Sequence, residues 1–262
     1  MFDTHCHLTF RDFQGREAGV LSAARSVGVR GVITVATTGE DCLRAAAIAE
    51  RHDGVWCTAG VHPLYAAESM DFGAVRAAAM HPRCVAWGEL GLDNHYSEPP
   101  RSLQDRVLRD QLEVIEAATR EGLAKPVVVH CREAFDELLE VFADTALDPS
   151  RFVFHCFTGT AEDARKVLDF GACISFTGVV TFKNASAVRE AAKLVPADRI
   201  MVETDAPYLS PEPVRTMRPN EPKNVVHVAR CLAALRGADP GEFEQQLDAN
   251  AERFFGIELP PP

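Results

Sequence analysis

KPVVVHCREAFDELLEVFADTALDPSRFVFHCFTG, residues 125–159, decides how the fold is read. Two short apolar runs, VVV and FVF, each end on a His-Cys dipeptide, at His130-Cys131 and His155-Cys156. Between them REAFDELLEVFADT repeats its apolar residues at helical spacing. Short continuous apolar runs suit parallel strands buried on both faces, and a helix-bearing crossover is the connection parallel strands need.

The same unit recurs in both directions. Upstream the strands read FDTHCHL, RGVITVA, VWCTAG and RCVAWGELGLD; downstream they read ACISFTG and RIMVETD. Helical patterns separate them: REAGVLSAARSVG, ended by Gly28, then EDCLRAAAIAERH, a helix over about Ser69–Met80, SLQDRVLRDQLEVIEAATREG, TAEDARKVLDFG and ASAVREAAKLVP. Two more, EPKNVVHVARCLAALRG and DPGEFEQQLDANAERFFG, follow the last strand. Eight such units predict an α/β fold, a TIM-type (β/α)8 barrel, as a single domain over residues 1–262. A doubly wound open sheet has the same alternation and differs only in not closing. No linker or close repeat interrupts the chain.

Composition narrows the function. The formal charge is −11, which disfavours a broadly basic nucleic-acid binder but not an enzyme whose cleft carries cations. The hydrophobic content of 47% is enough for a substantial core. The eight cysteines form no C-x-x-C pair, and no apolar stretch reaches the roughly 18 residues of a membrane-spanning helix. With no signal-peptide pattern at the start, a cytoplasmic location without membrane association is expected.

Strand-end polar residues carry the chemistry. His5 and His7 stand two apart, so a strand sends both to one face and Cys6 to the other. Alone, H-x-H reads equally well as two satisfied histidines. The pattern recurs, however: Glu89 at the end of the fourth strand, His130 at the end of the fifth, His155 at the end of the sixth and Asp205 just past the eighth. In a barrel these converge on the C-terminal rim, where this fold holds its active sites. Buried charges need pairing or metal, and mixed nitrogen and oxygen donors suit zinc and related ions. Six ligands exceed one tetrahedral zinc and suit two divalent ions, such as Zn²⁺, Mg²⁺ or Mn²⁺. The expected division is His5, His7 and Asp205 for one, His130 and His155 for the other, and Glu89 as bridge. Two cations about 3.5–4 Å apart can activate water and steady an in-line phosphoryl displacement. Asp205 is further placed to orient that water or take its proton.

These residues, in this order, resemble the TatD family of metal-dependent deoxyribonucleases, a branch of the amidohydrolase-like metallohydrolases. FDTHCHL, AGVHP, WGELGLD, KPVVVHCREA, FHCFTG, ISFTGVVTFKNA, VETDAPYL and RPNEPKNVVHVA carry the resemblance over nearly the whole chain. It implies a TIM barrel, a cytoplasmic location and metal-dependent hydrolysis of DNA, often from the 3′ end. It also implies metal roles for His5, His7, Glu89, His130, His155 and Asp205, catalytic roles for Asp205 and Glu89, and a phosphate contact for His62. The chain departs from the family at GLDNHY, where an aromatic usually follows GLD, and at VRTMRPNEP, where the pattern is more basic. An amidohydrolase, or a deacylase of RNA-linked esters, is the alternative on the same metal centre. A catalytically silent scaffold is the third reading.

Other residues keep two readings each. His62 contacts substrate or caps its own loop. Arg132 clamps a phosphate or pairs with Glu133 or Asp136. Arg215 and Arg218 meet a nucleic-acid backbone or stay in solvent, and Lys183 is a similar case. Thr158 and Gly159 bind phosphate or cap a helix. Asp3 and Glu203 are expected to hold histidine N–H groups. Cys6, Cys131 and Cys156 are expected to face the helices, and Phe254 and Phe255 to pack under the helix ring. DNA, single-stranded or at 3′ ends, is the expected substrate, with no organic cofactor and a monomeric chain.

Overall fold

The computed structural model describes residues 1–68 and 71–261. Its strands are β1 (Phe2–Cys6), β2 (Gly31–Thr34), β3 (Val55–Ala59), β4 (Cys84–Asp93), β5 (Val127–Arg132), β6 (Phe152–Phe154), β7 (Cys173–Phe176) and β8 (Ile200–Val202). The helices are α1 (Glu17–Arg25), α2 (Gly39–Arg51), α3 (Phe72–Ala79), α4 (Arg101–Arg120), α5 (Phe135–Ala143), α6 (Ala161–Phe170), α7 (Ser186–Leu194), α8 (Val225–Arg236) and α9 (Pro240–Phe255). The helix start expected at Ser69 lies outside the described residues.

All neighbouring strands pair in parallel, in sequence order from β1 to β8. Just beyond β8, Asp205 N–H donates to the His5 carbonyl at 2.9 Å and His7 N–H to the Ala206 carbonyl at 2.8 Å. These bonds join the last strand's end to the first, so the sheet curls into a barrel rather than staying open. The join is reinforced by Asp3, whose carboxylate accepts from the Thr204 hydroxyl at 2.6 Å and the Thr204 N–H at 2.9 Å.

Each strand sends at least one apolar side chain into the barrel interior, from Phe2 and Trp56 round to Val153 and Met201. Ala251 and Phe255 of α9, with Ile257 and Leu259 after it, join this interior cluster and stop the end where the strands begin. Phe255 therefore plugs the barrel itself, not the underside of the helix ring, because α9 turns its last residues beneath the strands. Helices α1 to α8 cover the outer faces, where Cys6 and Cys131 are buried as expected. Cys156 departs from that expectation. Strand β6 ends at Phe154, the chain turns at Cys156 with φ 45°, and its thiol side lines the opposite, polar end of the barrel. All eight cysteines are free thiols.

Candidate metal centre

The C-terminal ends of the strands open into a cavity of about 880 Å³. His7, His62, Glu89, His130, His155 and Asp205 line it. His5 lies directly beneath, fully buried. A second depression, of about 670 Å³, lies at the other end beside Phe254 and Phe255 and holds none of these groups.

Local backbone delivers each side chain. The pairing of β1 with β2 slips between Asp3 and Cys6, and His5 and His7 turn inward together there, their Nε2 atoms 3.3 Å apart. Glu89 lies within β4 rather than at its end, with glycines at positions 88 and 91. A side chain at Gly91 (φ +149°) would place its Cβ 1.9 Å from the His130 carbonyl oxygen, so that position is held to glycine by close strand packing. Asp205 sits at φ 56°, the turn that swings its carboxylate back over the rim.

Glu89 stands between two groups. Its Oε2 lies 3.3 Å from His5 Nε2, beside His7 and Asp205; Asp205 Oδ1 is 3.4 Å from His7 Nε2 and 3.7 Å from His5 Nε2. Its Oε1 lies 2.6 Å from His155 Nε2, 2.8 Å from His130 Nδ1 and 3.3 Å from His62 Nε2. Among the described residues, three sets have donor atoms close enough to share an ion: His5, His7 and Asp205; His5, His155 and Glu203; His62, Glu89 and His130.

The far nitrogens of these rings show which atom each presents. His7 Nδ1 donates to the Val35 carbonyl at 3.0 Å, and His155 Nδ1 donates to Glu203 Oε1 at 3.2 Å. His130 Nε2 donates to Asp93 Oδ2 at 3.0 Å. Each bond fixes the tautomer and leaves a lone pair aimed into the cluster, the arrangement that metal-ligating histidines use. His62 is the opposite case. Leu64 N–H donates to its Nδ1 at 3.0 Å, so the neutral ring carries its proton on Nε2 and offers the cluster a donor. His62 thus caps its own loop with one nitrogen and faces the cavity with the other.

Electrostatics support a cation-binding cluster. Burial opposes charge on Glu89, yet His155, His62 and His5 hold its carboxyl well below the usual range. Burial likewise opposes charge on Asp205, and His7 outweighs it to lower that carboxyl. Burial works against the His155 imidazolium, but Glu89 and Glu203 lift it well above its ordinary value. His62, lowered to about 4 by burial, stays neutral. Burial also opposes charge on His7 and His130, and Asp205 and Asp93 outweigh it to raise those rings, so the cluster favours positive charge where divalent ions would act. Glu89 Oε2 is buried and, among the described residues, makes no hydrogen bond, which suits a cation ligand. The donor set fits divalent metal.

The remaining expected residues divide. Arg132 lines the cavity, lies over the Tyr96 ring at 5.4 Å, and pairs with neither Glu133 nor Asp136, which engage His95 and Lys166. Arg215 and Arg218 are not brought to the cavity. Arg215 sits 3.8 Å over Phe182, and Arg218 spends its guanidinium on Ser210 and the carbonyls of Arg215 and Met217. Glu203 holds His155 as expected. Asp3 does not hold a histidine ring; it accepts the backbone N–H of His5 at 3.3 Å and latches Thr204. Asp93 was not anticipated. Its signal was its place four residues after Glu89 in GELGLD, on the same face of one strand.

The family profile described as TatD related DNase matches residues 2–256. The chain belongs to the TatD family. It is 37% identical over 261 residues to the uncharacterized metal-dependent hydrolase YcfH of Escherichia coli (strain K12), covering 98% of this chain and 96% of that one. It is also 37% identical over 266 residues to the 3'-5' ssDNA/RNA exonuclease TatD of Erwinia billingiae (strain Eb661), covering 98% of this chain and 99% of that one. The crystal structure of YjjV, a TatD homolog from Escherichia coli K12, superposes with a TM-score of 0.91 at 29% identity, covering 98% of both chains. As a TatD-family protein with several His, Asp and Glu clusters at its barrel mouth, it is a metal-dependent hydrolase.

Proposed function

We propose that this TatD-family protein is a nuclease that cleaves phosphodiester bonds of single-stranded DNA, working inward from the 3′ end. The observation that carries the reading is the division of Glu89, one oxygen toward His5, His7 and Asp205, the other toward His130 and His155. That division suits a bridging carboxylate between two divalent ions. Such ions, once bound, lower the pKa of water and neutralise charge on the phosphate. Asp205, at the rim of the cavity, receives the proton of the attacking water. His62 donates Nε2–H to a phosphate oxygen, and the Arg132 guanidinium, in no ion pair among the described residues, grips the same group from β5. The name carried by the Erwinia billingiae relative supports the substrate and the polarity. We further infer one barrel domain acting as a monomer, and a cytoplasmic location in keeping with eight free thiols. Among the described residues, no helix is long and apolar enough to cross a membrane.

The test is protein stripped of metal and reloaded with Zn²⁺, Mn²⁺ or Mg²⁺, then offered end-labelled single-stranded DNA, duplex DNA, RNA and small amides. Stepwise release of nucleotides from the 3′ end of single-stranded DNA is expected. Loaded protein that ignored every nucleic acid and hydrolysed an amide or RNA-linked ester would replace the nuclease with the amidohydrolase or deacylase reading.

A further inference from the structure

Among the described residues, only two large aromatic side chains stand exposed: Tyr96 at 51% and Tyr208 at 53%. Both line the cavity over the metal centre. Their placement follows from the topology. Tyr208 lies on the segment after β8, packed edge-on against Phe10 from the segment after β1, with ring centres 6.1 Å apart. Tyr96 lies on the segment after β4, covered on one side by Arg132 from β5. In an eight-stranded barrel of sequential order, the β8–β1 pair and the β4–β5 pair lie across the mouth from each other. The two rings therefore flank the cluster from opposite sides.

Each ring is also tied to a site carboxylate residue three positions earlier. Tyr96 N–H donates to Asp93 Oδ1 at 3.3 Å, and Tyr208 N–H donates to the Asp205 carbonyl at 2.9 Å. On the Tyr208 side the rings continue inward: Phe10 stacks on the metal-facing His7 with centres 4.5 Å apart and planes 14° apart. A singly exposed ring is ordinary; two rings held at their backbones on opposite sides of one polar cavity present flat faces to whatever that cavity binds.

We propose that Tyr208 and Tyr96 are two stacking platforms that receive the bases on either side of the scissile phosphate. The proposal rests on the nuclease reading above and names what that site selects. Bases must be unstacked to lie on both rings, so the platforms admit single strands and not duplex. They are tolerant of sequence, because every base offers a π-face. Arg132, over Tyr96, serves the phosphate and the platform together.

The deciding comparison is between two single-stranded DNA oligonucleotides, one ordinary and one whose two 3′-terminal residues are abasic, hydrolysed by Mn²⁺-loaded protein. The abasic strand keeps the phosphates and loses the stacking. Its KM is expected to be about tenfold higher or more, the scale of base–aromatic stacking. Tyr208→Leu and Tyr96→Leu should each shrink that gap several-fold, whereas Tyr208→Phe and Tyr96→Phe, which keep the ring, should preserve it. Equal KM for the two strands with wild-type protein, or a gap unchanged in both leucine variants, would overturn the platforms while leaving the nuclease standing. Should the leucine variants fail to fold, the wild-type comparison alone decides. If the loaded protein cleaves neither strand, the nuclease reading falls first and the platforms fall with it.

Discussion

At the end where the strands begin, the barrel is stopped by Phe255, Ile257 and Leu259, which pack on interior side chains such as Trp56 and Val153. At the end where they finish, the same interior space is filled by five histidines, Glu89 and Asp205, with one carboxylate oxygen left buried and, among the described residues, unbonded. The first end gains free energy by removing apolar surface from water. The second loses free energy by burying charge, and recovers it only through ions or protons held between the groups. One strand set thus carries a stabilising end and a working end, and the two should respond differently to mutation.

The sharpest way to break this contrast is at Glu89. Glu89→Ala removes the carboxylate that faces both halves of the cluster, so metal content should drop and hydrolysis should fall below that of any other single variant. Metal analysis of the purified variant, beside its circular dichroism, checks this; full metal occupancy would show that Glu89 bridges nothing. Asp205→Asn comes next. The amide keeps the shape but cannot take a proton, so kcat should fall by about 10²- to 10⁴-fold with the fold intact. A kcat within a few-fold of wild type would remove Asp205 from the proton path.

The opposite end should show the reverse pattern. Phe255 is buried in the apolar plug. Phe255→Ala should cost about 3–5 kcal/mol of stability, as large aromatic truncations in cores do. Metal content and KM, measured well below the melting temperature, should hold. A variant that kept its denaturation midpoint and lost metal would mean that the two ends are not separable.

The working end was also the more legible one in sequence. His5, His7, His130, His155 and Asp205 stand out because polar residues interrupt apolar strands, and buried parallel strands leave little else to interrupt them. The strand count was readable for the same reason. What could not be read depends on contacts remote in the chain. Nothing local to Arg218 says that its guanidinium turns back on Ser210 and Met217 O. Nothing in NAERFFG says that α9 ends under the strands rather than under the helices. Cys156 misled because alternation was carried one turn past the true end of β6. Asp3 misled because its partners are two backbone N–H groups, which leave no trace in residue type, and the hydroxyl of Thr204, which is remote in the chain.

Asp93 is the residue that best tests how far the working end extends. It is buried on the last position of β4, and its Oδ2 accepts a hydrogen bond from His130 Nε2–H while its Oδ1 accepts from His95 and Tyr96 N–H. The carboxylate does two things at once: it sets the tautomer that frees His130 Nδ1, and it fastens the loop that follows. Asp93→Asn separates them. The amide oxygen still accepts one hydrogen bond, but its NH₂ cannot accept the His130 proton if the oxygen stays with the loop. His130 then loses its orienting charge, and metal affinity should fall by about 10- to 100-fold, the usual effect of removing such a partner. Because ligand identity is unchanged, excess metal should restore kcat. Restoration by metal places Asp93 behind His130 as a positioning residue. A kcat that stays low at saturating metal would instead place it in contact with substrate, and the polar end of the barrel would reach one strand turn further than the histidines mark.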